Sequence, residues 1–197
     1  MEIVGDLLSG RARPECLKYL LDTLRNAPFH VFGEKHEGVG VYCLYFNGRN
    51  HRLYNGLSGE VPLYIGKASG QTASLESRLR EHARSIQEAN DLDVSNFSYK
   101  LIELADEWVS GCEEQLIAHF EPLWNTVITG FGNHAPGKGR KHQRKSLWDT
   151  LHDGRRWARH FDPEFPYDKV CELTLQWCVA RGFPPHQSLE FDVMDHF

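Results

Sequence analysis

The chain has 197 residues, 41% of them hydrophobic and 25% charged, which is enough for one domain with a substantial core. Its five cysteines (16, 43, 112, 171 and 178) are odd in number and form no C-x-x-C pair, which excludes a disulfide framework and a zinc knuckle and leaves them as small core residues. No apolar run approaches the ~20 residues of a membrane-spanning helix, and MEIVGDLLSG at the start carries Glu2 and Asp6 where a secretory leader is basic, so a soluble, cytoplasmic protein without a membrane partner is expected.

Residues 14–26 open with Pro14, which suits a first helical turn, and place Leu17, Leu20, Leu21 and Leu24 on one helical stripe. The run VGVYCLYF (39–46) then alternates Val39/Val41/Cys43/Tyr45 with Gly40/Tyr42/Leu44/Phe46, the pattern of a half-buried strand. Asn47-Gly48 signals a turn, and residues 47–61, rich in Gly, Asn and Ser, are expected to be exposed. Pro62 is tolerated at a strand start, and Leu63-Tyr64-Ile65-Gly66 alternates again, so Tyr42 and Tyr64 are expected on one face of a paired sheet.

A helix over about 73–89 buries Leu75, Leu79, Ala83 and Ile86 and carries Arg78 and His82 four apart, at the edge of that stripe at ~100° per residue. FSYKLIEL (97–104) is a third strand. In 107–120, Val109, Cys112, Leu116 and Phe120 make an apolar helical face, with Glu113 beside it and Glu114 further round, before Pro122 ends the element. GFGNHAPGKG (130–139) is too glycine-rich for regular structure, Leu147, Trp148, Leu151 and Trp157 suggest short helical pieces, and a last helix spans about 168–181.

The net charge of −5 conceals an uneven distribution. Residues 130–160 hold eight Lys/Arg against Asp149 and Asp153, a local +6, whereas 161–197 hold seven acids against Lys169 and Arg181, a local −5. An anion-binding face followed by an acidic tail is therefore compatible with an acidic total.

Gly40-Val41-Tyr42, Tyr64-Ile65-Gly66, Arg78 on the next helix, Glu113 with Leu116-Ile117 after it, and Asn125 twelve residues beyond that glutamate resemble, in order and spacing, the GIY-YIG nuclease superfamily. More narrowly, VGVYCLYF, LYIGKA, RLREHARSI, EPLWN, GFGNHAPGKGR and WDTLHDGRRWA are similar to the type II restriction endonucleases of that superfamily that cut CCGCGG, over roughly residues 38–160. Two departures stand out. Val41 replaces the name-giving isoleucine, and the connection between the tyrosines is short for that subgroup.

The resemblance implies an α/β (α+β) fold with a small central antiparallel three-stranded sheet flanked by helices. The division expected within one domain (1–197) is a nuclease core at 38–127, a basic DNA-contacting loop and helical extension at 128–160, and an acidic helical segment at 161–197. The implied activity is Mg²⁺- or Mn²⁺-dependent hydrolysis of double-stranded DNA at a GC-rich palindrome by a homodimer, with a cognate DNA methyltransferase in the same host. Runner-up readings are a repair or structure-specific nuclease and a non-catalytic DNA-binding module.

The implied site comprises Tyr42, Tyr64, Arg78, His82, Glu113 and Asn125. Glu113 is the expected metal ligand, one ion per site, because a lone carboxylate leaves positions for water and phosphate oxygen. Arg78 offers a fork for non-bridging oxygens, and Asn125 braces the site. Either Tyr42 or His82 could be the base; Tyr42 is favoured because its strand position faces Tyr64 while His82 lies on the helix edge one layer back, and neighbouring cations are expected to lower its pKa. Lys67, Asn133, His134, Lys138, Arg140, Lys141, Arg144 and Lys145 are the candidate DNA contacts, with arginines for guanine edges and lysines for phosphates.

Overall fold

Strand β1 (Gly40–Phe46) is the middle of a three-stranded antiparallel sheet, paired on one side with β2 (Tyr64–Ala68) and on the other with β3 (Phe97–Glu103). The computed structural model describes residues 13–49, 51–54, 56–57, 59, 61–70, 73–135 and 143–183. Six α-helices accompany the sheet among these residues: α1 (Arg13–Asn26), α2 (Leu75–Glu88), α3 (Asp106–Phe120), α4 (Leu123–Thr126), α5 (Leu147–Leu151) and α6 (Tyr167–Ala180). The architecture and the bounds of the long elements match the sequence expectation to within a residue or two. None of the described helices is long and apolar enough to cross a membrane. All five cysteines are free, and Cys43, Cys112, Cys171 and Cys178 are buried.

Every residue of β1 is buried, not half of them. The alternation is real, but both faces are covered. Val41, Cys43 and Tyr45 meet Leu20 and Leu24 of α1 and Val109, Cys112 and Leu116 of α3. Tyr42, Leu44 and Phe46 join a larger core with Leu75, Leu79 and Ile86 of α2, Trp124 of α4, Trp148 of α5 and Trp177 of α6. Each fully buried Leu or Phe there contributes roughly 1.5–3 kcal/mol. Ile128, Phe131, Trp148, Leu151, Val170, Cys171, Trp177 and Cys178 thus belong to the same core as the strands.

The connection between β1 and β2 also departs from expectation. His51, Leu53, Tyr54 and Leu57 are buried, and Tyr54 is completely so. Its polar composition hid these apolar anchors, whose partners lie far along the chain: the Tyr54 hydroxyl meets His152 Nε2 at 2.6 Å and accepts from Trp124 Nε1 at 3.0 Å.

Local signals fix the ends of the site-bearing helices. A capping box starts α2: Ser74 Oγ accepts from Ser77 N (3.1 Å) and Ser77 Oγ accepts from Ser74 N (3.0 Å). Helix α3 ends at Glu121, whose φ of 43° is left-handed, and Pro122 prevents continuation. The chain then turns into α4, where Asn125 grips the outer edge of β2: its Oδ1 accepts from Ile65 N and its Nδ2 donates to Ile65 O, both at 2.8 Å. Beside it, Trp124 N donates to Leu63 O at 2.8 Å. On the far edge of the sheet, His30 and Tyr99 exchange two backbone hydrogen bonds, at 2.8 and 3.0 Å.

Candidate active site

Register decides where the two phenols lie. Tyr42 pairs with Gly66 and Leu44 with Tyr64, so both tyrosines emerge on the same face, as expected, with ring centroids 6.5 Å apart. The middle residues of the two triplets, Val41 and Ile65, point into the opposite core. Space accounts for the glycines. A Cβ on Gly66 would stand 2.5 Å from the Tyr42 hydroxyl oxygen, and one on Gly40 would collide with the Ile102 carbonyl of β3.

His82 is not at the rim where the helical stripe put it. It is buried at 6% exposure, with Nε2 2.7 Å from Tyr42 Oη, its ring stacked on Phe131 (4.6 Å, 18°) and 5.1 Å from the Tyr64 ring. Burial governs the protonation of this cluster. It raises the Tyr42 phenol well above the usual value, nearby Tyr64 adds to the rise, and Arg78 opposes it without prevailing. The expectation that neighbouring cations lower this pKa is therefore corrected, because removal from water outweighs them. Tyr64 is pushed up to about 12, by burial and then by the Glu113 charge. His82 is pushed down to about 3 by burial and then by Arg78. A neutral phenol and a neutral imidazole therefore share this hydrogen bond, and with the phenol O–H as donor the ring's own proton is on Nδ1.

Glu113 projects from α3 toward the same face, 16% exposed, with Lys67 Nζ at 2.9 Å. Lys67 also donates to Ser110 Oγ at 3.1 Å. Arg78 is held by Glu81 Oε2 (3.0 Å) and donates to His134 Nε2 (3.2 Å). Tyr42, Tyr64, Lys67, Arg78, His82 and Glu113 all line one cleft of about 420 Å³. Glu114 faces the other way, into the groove between α1 and α3. Asn125 is outside the cleft lining and acts on the backbone of β2.

The candidate DNA contacts separate into groups. Asn133 and His134 line the cleft. Arg144 is exposed. Lys145 is only 16% exposed and pairs with Asp153 at 2.7 Å, so it is not the free cation that a phosphate contact was expected to be. Lys138, Arg140 and Lys141 lie outside the described residues.

Sequence reasoning counted Arg155 only as part of a basic run, yet it organises the cleft's roof. Its side chain is 2% exposed and pairs through Nε with Asp149 at 2.6 Å, itself 1% exposed. Nη1 donates to the carbonyls of Phe131 (2.9 Å) and Asn133 (3.2 Å), and Nη2 to that of Gly130 (2.8 Å). Its guanidinium carbon lies 4.4 Å from the Trp148 ring centroid and 4.9 Å from that of Trp157. One planar fork thus holds three carbonyls of the glycine-rich loop and sets Phe131 on His82. Nothing local in the sequence announces this, because the carbonyls lie 22–25 positions upstream.

Two neutral proton carriers in contact, a carboxylate with an adjacent ammonium, and a guanidinium at the opening form a set suited to an anionic ester: something to move a proton, something to bear a cation, something to bind phosphoryl oxygens. The family model for the Eco29kI GIY-YIG domain matches residues 34–172, from before β1 into α6, and so includes both triplets, Arg78, Glu113 and Arg155. No curated protein matches the chain. With most of its length matched, and with the tyrosines of both triplets on one face of the expected sheet, the chain belongs to the Eco29kI GIY-YIG restriction-endonuclease family and is a site-specific, DNA-binding nuclease.

Proposed function

We propose that the protein is a type II deoxyribonuclease that hydrolyses both strands of double-stranded DNA at a short GC-rich palindrome, CCGCGG, as a homodimer, with one divalent metal per site. The observation that carries this reading is the convergence of Tyr42, Tyr64, Arg78, His82 and Glu113 on one cleft. The donor set fits Mg²⁺ or Mn²⁺: Glu113 offers one carboxylate at a cleft open to water, and no cluster of three His, Cys, Asp or Glu ligands surrounds it among the described residues. Glu113 would hold the ion, which when bound supplies charge neutralisation at the scissile phosphate and a more acidic water.

The remaining roles fall to the chain's own groups. Arg78 exchanges Glu81 for the non-bridging oxygens of the phosphate, and Lys67 stands close enough to share them. Tyr42 accepts a proton from the attacking water as its own passes to His82 Nε2, so that neither group ionises beforehand. Tyr64 orients the water, and Asn125 holds β2 in register beneath both. Asn133, His134, Lys138, Arg140, Lys141, Arg144 and Lys145 contact bases and phosphates, Lys145 only after leaving Asp153. A palindrome calls for a two-fold reader, and a host carrying such an enzyme needs a methyltransferase for the same sequence.

Incubation with plasmid and Mg²⁺, followed by mapping of the ends, tests the reading. Discrete fragments ending at CCGCGG are expected. Nicks confined to branched DNA, or a gel shift without cleavage, would overturn it.

Arg155 supplies a separate prediction. Arg155→Met strands the buried Asp149 charge and should cost about 3–5 kcal/mol of stability, read by denaturant unfolding. Arg155→Lys keeps the charge but loses the fork. It should remain folded and cleave about 10–100-fold more slowly, because the roof over His82 is no longer fixed. Full activity in the lysine variant would show that the fork does not position the cleft.

A further inference from the structure

We propose that His51, Asp91 and His152 form a second metal site, distinct from the cleft, that takes Zn²⁺ or a similar borderline divalent ion and ties the C-terminal part of the chain to the sheet. The three residues come from three segments: the β1–β2 connection, the α2–β3 connection and the end of α5. Asp91 Oδ2 lies 2.9 Å from His152 Nδ1 and 3.5 Å from His51 Nε2, and all three candidate ligand atoms fall within 4.8 Å of one another. Ligands bound at about 2.0–2.1 Å to a tetrahedral ion stand about 3.3 Å apart, close to both Asp91–histidine distances.

The surroundings are those of a built site. His152 is fully buried, His51 is 9% exposed, and the Asp91 side chain at 39% leaves one side open to water. Each ring is held from behind. The outer nitrogen of His152 meets the Tyr54 hydroxyl at 2.6 Å, and His51 lies flat on the Tyr54 ring (4.4 Å, 12°) while its outer nitrogen accepts from Leu53 N at 3.3 Å, a bond that metal uptake would open. An acceptor on the non-ligating nitrogen orients a histidine toward a metal, and the Tyr54 oxygen can be that acceptor for His152. Metal uptake places each ring's proton on that outer nitrogen. For His152 it faces the Tyr54 oxygen, and for His51 it faces the Leu53 amide across a contact long enough to open.

No lysine or arginine forms an ion pair with Asp91 among the described residues, so its charge is shared by the two rings alone. Two imidazoles and one carboxylate favour zinc-like ions over Mg²⁺, which prefers oxygen. His152 lies between Asp149 and Arg155, so an ion there would steady the segment that holds the cleft's roof.

Co²⁺ is the probe, added to the full-length protein after chelation and dialysis. The expected result is a visible ligand-field absorption from a His/Asp-bound ion, displaced by Zn²⁺, together with a raised thermal midpoint. Asp91→Asn and His51→Gln should lose the absorption and the midpoint shift, whereas Glu113→Gln and His36→Gln keep both. His36 belongs to a second, more exposed His30/Glu34/His36 cluster and serves as the control for it. Asp91 is partly exposed, so its variant stays folded, as circular dichroism will verify. Absence of the absorption in the wild-type protein, or its survival in folded Asp91→Asn, would overturn the proposal and leave the triad as a hydrogen-bond network.

Discussion

Glu113→Gln is expected to abolish cleavage, by about 10³-fold or more, while specific DNA binding persists. The substitution keeps shape and removes one negative charge at the cleft, so what it takes away is the only cation-holding group proposed there. A 10³-fold loss is about 4 kcal/mol in the barrier. Folding should hardly notice: the partner lost is Lys67, a third exposed and still within reach of Ser110, and an ion pair this open is worth about 1 kcal/mol or less. Single-turnover cleavage beside a gel-shift titration separates the two effects. Glu114→Gln is the control, since that side chain lies across α3 in another groove. An inactive Glu114→Gln with an active Glu113→Gln would reverse the assignment.

Tyr42→Phe should be nearly as damaging, and its relation to His82 is the sharper test. The two side chains share one buried hydrogen bond of 2.7 Å, and burial holds both neutral. They should therefore act as a unit. Tyr42→Phe alone costs about 10²–10⁴-fold, His82→Gln a comparable amount, and the double variant no more than the worse single one. Loss of the hydroxyl also leaves a buried ring nitrogen without a donor, at about 1–3 kcal/mol of stability, so rates are compared well below the melting point. Because His82 stays neutral down to about pH 3, acidification from pH 7 to 5 should not protonate it in the folded protein. Additive losses, substantial activity in Tyr42→Phe, or a rate step near pH 6.5 that His82→Gln removes would each break the coupled pair.

How much of this site was legible in the sequence depends on how far apart its causes lie. Strand alternation put Tyr42 and Tyr64 on one face because register is a local, period-two property. Helical spacing separated Glu113 from Glu114 for the same kind of reason. It misplaced His82, whose burial comes from Phe131, forty-nine residues later on a loop with no regular structure. Tyr54 and His51 were assigned to an exposed turn because Gly, Asn and Ser around them dominate the local pattern, while their partner His152 lies about a hundred residues away. Charge counting erred twice. It treated Lys145 and Arg155 as members of a basic, anion-binding run, although one is paired with Asp153 and the other is locked inside the protein. It also summed cations near Tyr42 without the cost of desolvating a phenolate, which is the larger effect.

The two rims of the small sheet carry a consequence for assembly. A three-stranded sheet normally offers unpaired backbone along both outer strands, a template on which another copy can continue the ladder. Here Asn125 and Trp124 occupy that backbone along β2, and His30 does so along β3. Neither rim presents the uninterrupted row of amides and carbonyls that sheet extension requires. Two copies meeting across a DNA site would then associate through helices or loops, and crowding of this protein at high concentration should not seed strand-to-strand fibres from its native state.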